Sequence, residues 1–127
     1  MQVIIIYQIN KDPSIMKISF IGYGNIVKAI IQGLKDNPDY QLYAASPSLL
    51  IGKNPEGVTT HPDNLAILEN TDIIILGVKP NNVAQVLTQI KHKIPSNCVL
   101  ISLAAGFNLS SLAANCAAKQ SIVRAMP

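Results

Sequence analysis

Four short stretches of this 127-residue chain have residue types and spacings that could do chemistry, and each falls where an apolar run ends. The first is Gly22-Tyr23-Gly24-Asn25-Ile26-Val27, between the apolar Ile18-Ser19-Phe20-Ile21 and an amphipathic run from Lys28 to Leu34. Strand, glycine turn and helix, in that order, is the context in which G-x-G-x-x-G/A means dinucleotide binding. The first glycine permits the tight turn. The second removes a side chain where backbone must approach a pyrophosphate, and the helix N-terminus offers unpaired N–H groups and a partial positive charge. The third position ordinarily holds Gly or Ala, so that helix and strand pack closely. Here it is Val27, so the match is partial and a plain strand-to-helix turn is the competing reading.

The second stretch is Ala44-Ala45-Ser46-Pro47-Ser48. An NAD site usually places Asp or Glu about 20 residues past the glycines to accept from the ribose 2′-OH. None stands here. Ser46 and Ser48, with Lys53 close behind, would tolerate and bond a 2′-phosphate, which favours NADP over NAD; a plain Ser-Pro turn is the alternative. The third is Gly77-Val78-Lys79-Pro80, where Lys79 is either a cation for cofactor or substrate or, more simply, a solvated lysine beside a helix-opening proline. The fourth is Ser102-Leu103-Ala104-Ala105-Gly106, whose small residues let a flat ring lie against backbone or else pack tightly before a turn. His61 and His92 have no carboxylate or nucleophile close in sequence, so no catalytic acid, base or metal ligand is assigned.

The elements that must position these stretches alternate. Strands are expected over Met16–Ile21, Tyr40–Ala44, Gly57–Thr60 (at an edge), Asp72–Val78, Cys98–Leu103 and Ser121–Ala125. Helices are expected over Asn25–Lys35, briefly around Asn64–Glu69, from Pro80 onward, and after a cap at Asn108. On the first helix Ile26, Ile30, Gly33 and Leu34 share a face; on the third, Val83, Val86, Leu87, Ile90 and Ile94 do. The run Asp72 to Val78 has no polar alternation, as expected of a central parallel strand covered on both faces. Alternation of this kind predicts a Rossmann-type α/β domain, a doubly wound parallel sheet in the order 3-2-1-4-5-6 with its ligand at the switch point.

Composition fits one folded domain, with 49% apolar and 13% charged residues and a net charge of +3. The basic residues form no stripe with interleaved aromatics, which argues against nucleic acid. Val3-Ile4-Ile5-Ile6-Tyr7 is too short to cross a bilayer and lacks the flanks of a signal peptide. Cys98 and Cys116 sit in apolar stretches and read as buried free thiols in a reducing cytoplasm. Residues 1–15 are expected to be an extension, either a tail or a strand added to a sheet edge.

Taken in series, Ile18-Ser19-Phe20-Ile21-Gly22-Tyr23-Gly24-Asn25, Val78-Lys79-Pro80, Ile101-Ser102-Leu103-Ala104-Ala105-Gly106 and Val123-Arg124-Ala125-Met126-Pro127 resemble pyrroline-5-carboxylate reductase. The resemblance covers residues 16–127 as an NAD(P)-binding domain, and its Val-Lys-Pro, Ser-x-Ala-Ala-Gly and Arg-x-Met-Pro signatures are more specific than the glycine turn. It implies hydride transfer from NADPH, or possibly NADH, to 1-pyrroline-5-carboxylate, giving L-proline. It implies a pyrophosphate turn at Gly22, Gly24, Asn25 and Ile26, an adenosine ribose near Ser46 and Ser48, and an adenine side reached by Asn64. Val78, Lys79 and Pro80, then Ala104, Ala105 and Gly106, would run along the nicotinamide. Three departures stand out. Val27 replaces a small residue and is expected to push the helix from the strand, and an arginine often found near Ser46 is absent. The family continues past Met-Pro into a helical domain that makes a homodimer and encloses the substrate. The expectation is therefore a cofactor-binding half, inactive alone. The rivals are another NADP-dependent Rossmann dehydrogenase or a catalytically silent nucleotide-binding remnant.

Overall fold

Phe20, Ile21, Ile74, Leu76 and Leu100 have no solvent exposure, because their strands are covered on both faces. The computed structural model describes residues 15–106, 108–117 and 119–125. It runs β1 (Met16–Ile21), α1 (Asn25–Leu34), β2 (Tyr40–Ala45), β3 (Gly52–Lys53), β4 (Thr59–His61), a 3-10 turn (Asn64–Ile67), β5 (Ile73–Leu76), α2 (Pro80–Ile90), β6 (Val99–Ser102), α3 (Leu109–Ala114) and β7 (Ser121–Arg124). The sheet order is β3-β4-β2-β1-β5-β6-β7. Every pairing is parallel except β3 with β4. Counting only the six anticipated strands, this is the expected doubly wound order.

The differences are local. Gly52 and Lys53 pair antiparallel with Thr60 and Thr59, so an unforeseen β3 takes the edge and β4 sits one place inside it. Asn54 closes that hairpin, its Oδ1 accepting from the backbone N–H of Glu56 and Val58 at 3.0 and 2.9 Å. The helix expected around Asn64–Glu69 is a single 3-10 turn over Asn64–Ile67, capped by Asp63 Oδ1 on the N–H of Leu65. On α1 the buried residues are Val27 and Ile31, with Ile30 and Leu34 partly covered, while Ile26 is 49% exposed. The core face is thus turned by about one residue from the expected one, because Val27 points into the sheet. The expected reading of residues 1–15 as a tail or added strand falls almost wholly outside the described residues.

Two apolar layers result. α1 covers Ile18, Phe20, Leu42, Ala44 and Ile75 on one face, and α2 with Leu112 of α3 covers Ile21, Ile74, Leu76 and Leu100 on the other. Each such side chain contributes roughly 1.5–3 kcal/mol on burial. The buried hydroxyls are paired: Ser19 Oγ donates to the Ile67 carbonyl at 2.8 Å, and Thr71 Oγ1 donates to Ser19 Oγ at 2.9 Å. That chain ties β1 to the 3-10 turn and to the start of β5. Cys98 is buried and Cys116 half-buried, both as free thiols; burial pushes Cys98 up to about 12, so it is inert at neutral pH. Among the described residues, no helix is long and apolar enough to cross a membrane.

Candidate functional site

The parallel register brings the strand ends level. Ile21 lies opposite both Ala45 and Leu76, Ala45 opposite His61, and Leu76 opposite Ser102. The residues that follow each strand therefore meet along one edge of the sheet. β1 is flanked by β2 on one side and β5 on the other, so the crevice opens where the winding reverses.

Gly22 turns the chain at φ +100, and a Cβ there would lie 2.6 Å from the Gly77 carbonyl oxygen. The Gly22 N–H donates to Ala45 O at 2.9 Å and the Gly77 N–H to Ile21 O at 2.8 Å, so the two loops are stitched together at the floor. Val27 does not push the helix away. Its side chain is buried against Gly77, where a Cβ would overlap Val27 Cγ2. The side chain missing from Gly77 makes room for the one added at Val27.

Two adjoining clefts share Gly24, Gly77, Val78 and Lys79. The larger, about 970 Å³, lies between the glycine turn, the end of β2, the 3-10 turn and α2. Gly22, Gly24, Ser46, Asn64, Val78 and Lys79 line it. The smaller, about 410 Å³ and mostly apolar, is bounded by Asn25, Ile26, Pro80, Ala104 and Ala105 with the shared residues. Ala104 is set by its neighbour: its N–H donates to Ser102 Oγ at 3.2 Å, and Ser102 O accepts from Ala125 N–H at 2.9 Å. Eleven of the thirteen residues singled out from the sequence are thus brought together.

Ser48 and Gly106 line neither cleft; both are exposed, Ser48 in the turn after β2 and Gly106 at φ +75. Lys53 is also misplaced by the sequence reading. Since β3 runs back down the sheet, Lys53 lies beside Thr59 and borders a small pocket with Tyr40 and Tyr43, away from Ser46. The sequence reading also missed one wall, the amides Asn82, Gln85 and Gln89 of α2. Asn64 Nδ2 donates to Gln89 Oε1 at 3.1 Å. Their i, i+3, i+7 spacing on the face opposite Val83 and Leu87 was the available signal.

Charge in the clefts is sparse. Among the described residues that line them only Lys79 and Asp63 are charged, and Asp63 is occupied in capping the 3-10 turn. α1 begins at Gly24 and α2 at Lys79, neither with a side-chain cap nor an acid in its first turn. Both helix starts therefore present backbone N–H groups and partial positive charge to an anion. Space beside Gly24 is open, with nothing within 4 Å of a Cβ built there. The arrangement fits an elongated, anion-centred ligand with one polar and one apolar end.

Residues 17–106 match the family model described as NADP oxidoreductase, coenzyme F420-dependent. A pyrroline-5-carboxylate reductase of Vibrio alginolyticus is 38% identical over 116 residues, covering 87% of this chain and 43% of that protein. Among solved structures, the Plasmodium falciparum pyrroline carboxylate reductase with NADP bound has a TM-score of 0.77 at 27% identity, covering 90% of this chain and 43% of that one. The Coxiella burnetii pyrroline-5-carboxylate reductase has a TM-score of 0.77 at 31% identity, covering 87% and 43%. The chain spans less than half the length of these relatives.

Proposed function

This chain belongs to the NADP oxidoreductase, coenzyme F420-dependent, family, and we propose that it is the cofactor-binding half of a pyrroline-5-carboxylate reductase. The observation that carries the reading is the crevice at the reversal point, with the glycine turn and the start of α1 between a polar cleft and an apolar one. The backbone N–H groups of Asn25 and Ile26 take the pyrophosphate, and Gly22 and Gly24 leave it room. Ser46 and Asn64 hold the adenosine end, with Ser48 at the rim. Val78, Pro80, Ala104 and Ala105 bed the nicotinamide against apolar backbone and exclude water, with Gly106 just beyond, while Lys79 lies where the clefts join. The bound cofactor would supply hydride to the C=N carbon of 1-pyrroline-5-carboxylate, whose nitrogen takes the balancing proton from water, giving L-proline. This chain's part is to orient and desolvate the donor, a contribution that can reach several kcal/mol.

NADPH is expected to bind several-fold more tightly than NADH, since Ser46 offers a hydroxyl and no carboxylate follows β2. With Lys53 elsewhere, the preference rests on that hydroxyl and stays modest. Calorimetric titration of both cofactors measures it, and equal or reversed affinities reject the preference. The polypeptide of residues 1–127 is expected to bind NADPH while turning over pyrroline-5-carboxylate at a negligible rate. Robust turnover would contradict the division of labour proposed here.

The same reading includes a symmetric homodimer in the cytoplasm, where free thiols persist. Among the described residues β7 and β3 are the edge strands of the sheet; Val123 on β7 is 47% exposed, and Leu50 and Ile51 beside β3 are 84% and 74% exposed. Light scattering should give twice the chain mass, and a monomer at high concentration rejects the dimer.

A further inference from the structure

The residue between the two glycines is a tyrosine, and it is tied to a part of the fold far from it in sequence. Tyr23 is half-buried; its hydroxyl donates to Glu56 Oε1 at 3.2 Å and accepts from Asn54 Nδ2 at 3.1 Å. The other Glu56 oxygen accepts from Gln32 Nε2, on the third turn of α1. Asn54 is itself fixed by the two backbone N–H groups it accepts from in the β3–β4 turn. That hairpin in turn holds the loop after β2: Ser46 N–H donates to His61 O at 3.2 Å, and Thr60 Oγ1 donates to Leu50 O at 2.6 Å. Hydrogen bonds at each end, with the backbone of β4 between them, therefore join the glycine turn, through Tyr23 and the hairpin, to Ser46 on the opposite wall of the larger cleft.

Resting on the dinucleotide reading above, we infer that Tyr23 is a positioning residue whose hydroxyl, held by Asn54 and Glu56, keeps the pyrophosphate turn in register with the adenosine wall at Ser46. A ligand that spans both meets a preformed site and loses less freedom on binding. A ligand that touches only one wall gains little from the register. Burial, then the neighbouring Glu56 charge, hold the Tyr23 phenol above its ordinary value, so it remains a donor throughout the neutral range.

Calorimetry with NADPH and with adenosine 2′-monophosphate tests this, on the full chain and on Tyr23→Phe, Glu56→Ala, Glu56→Gln and the double variant Tyr23→Phe/Glu56→Ala. Tyr23→Phe keeps the ring, and Glu56→Gln keeps an acceptor for the phenol. Tyr23→Phe and Glu56→Ala should each weaken NADPH about threefold to tenfold, the size of one lost hydrogen bond. The double variant should be no weaker than the worse single one, and Glu56→Gln should stay within about twofold of the parent. The monophosphate should change by less than about twofold in every variant. An unchanged NADPH affinity in Tyr23→Phe overturns the inference, as does equal weakening of both ligands, which would mean the cluster only supports the fold. If the parent chain binds no NADPH, the dinucleotide reading itself fails, and this inference with it.

Discussion

Gly24→Val is expected to abolish NADPH binding and leave the protein folded. Gly24 starts α1 with φ −84 and ψ −171, extended backbone that valine adopts freely, and a Cβ there has nothing within 4 Å. The fold loses only the difference between a glycine and a valine helix cap, about 1 kcal/mol or less. The branched side chain, however, would occupy the space shared by both clefts, where the pyrophosphate must approach backbone. Affinity should fall by roughly a hundredfold or more, about 3 kcal/mol, while the urea midpoint moves little. Calorimetry and urea unfolding on the same protein separate the two effects. Gly22 cannot serve for this test: it needs φ +100, and its Cβ would strike the Gly77 carbonyl, so any substitution there damages the fold first.

Gly77→Ala is expected to destabilise the protein, and Val27→Ala to relieve much of that loss. Gly77 needs no left-handed backbone, so its requirement is purely one of space. An added methyl overlaps Val27 Cγ2, a fully buried side chain between α1 and the sheet. Overpacking of this kind costs about 1–3 kcal/mol. Val27→Ala alone removes two buried methyls at roughly 0.8 kcal/mol each, plus a cavity cost. In the double variant the new methyl lies where the old ones were. Its loss should fall short of the summed single losses by about 1 kcal/mol or more, read from urea midpoints in a double-mutant cycle. Additive losses would show that the two residues do not share that space.

Much of this architecture could be read from residue patterns. Ile73-Ile74-Ile75-Leu76 has no polar alternation, and a strand covered on both faces needs none, so the centre of the sheet announces itself. The glycine turn is legible because backbone geometry restricts what can stand at Gly22. What escaped depended on tertiary contact. β3 is two exposed residues with no periodicity, held by pairing with β4, and only that pairing carries Lys53 away from Ser46. The rotation of α1 follows from Val27 fitting over Gly77, a match between residues fifty positions apart that no local pattern reports. The amide wall of α2 was visible as a helical face, but its place over the larger cleft depends on how α2 packs. The tie of Tyr23 to Asn54 and Glu56 is likewise a contact between residues some thirty positions apart, which no local pattern reports.

The central claim is that a dinucleotide lies along the crevice with its pyrophosphate on the glycine turn. Titrating NADPH into isotope-labelled protein and following backbone amide shifts tests it most directly. The account predicts the largest shifts at Gly22 to Val27, with further ones at Ser46, Asn64, Val78, Lys79, Ala104 and Ala105. Lys17, Glu69 and Asp72, at the other end of the sheet, should stay still. Saturable shifts confined to that far end, or none at all at millimolar NADPH, would contradict it.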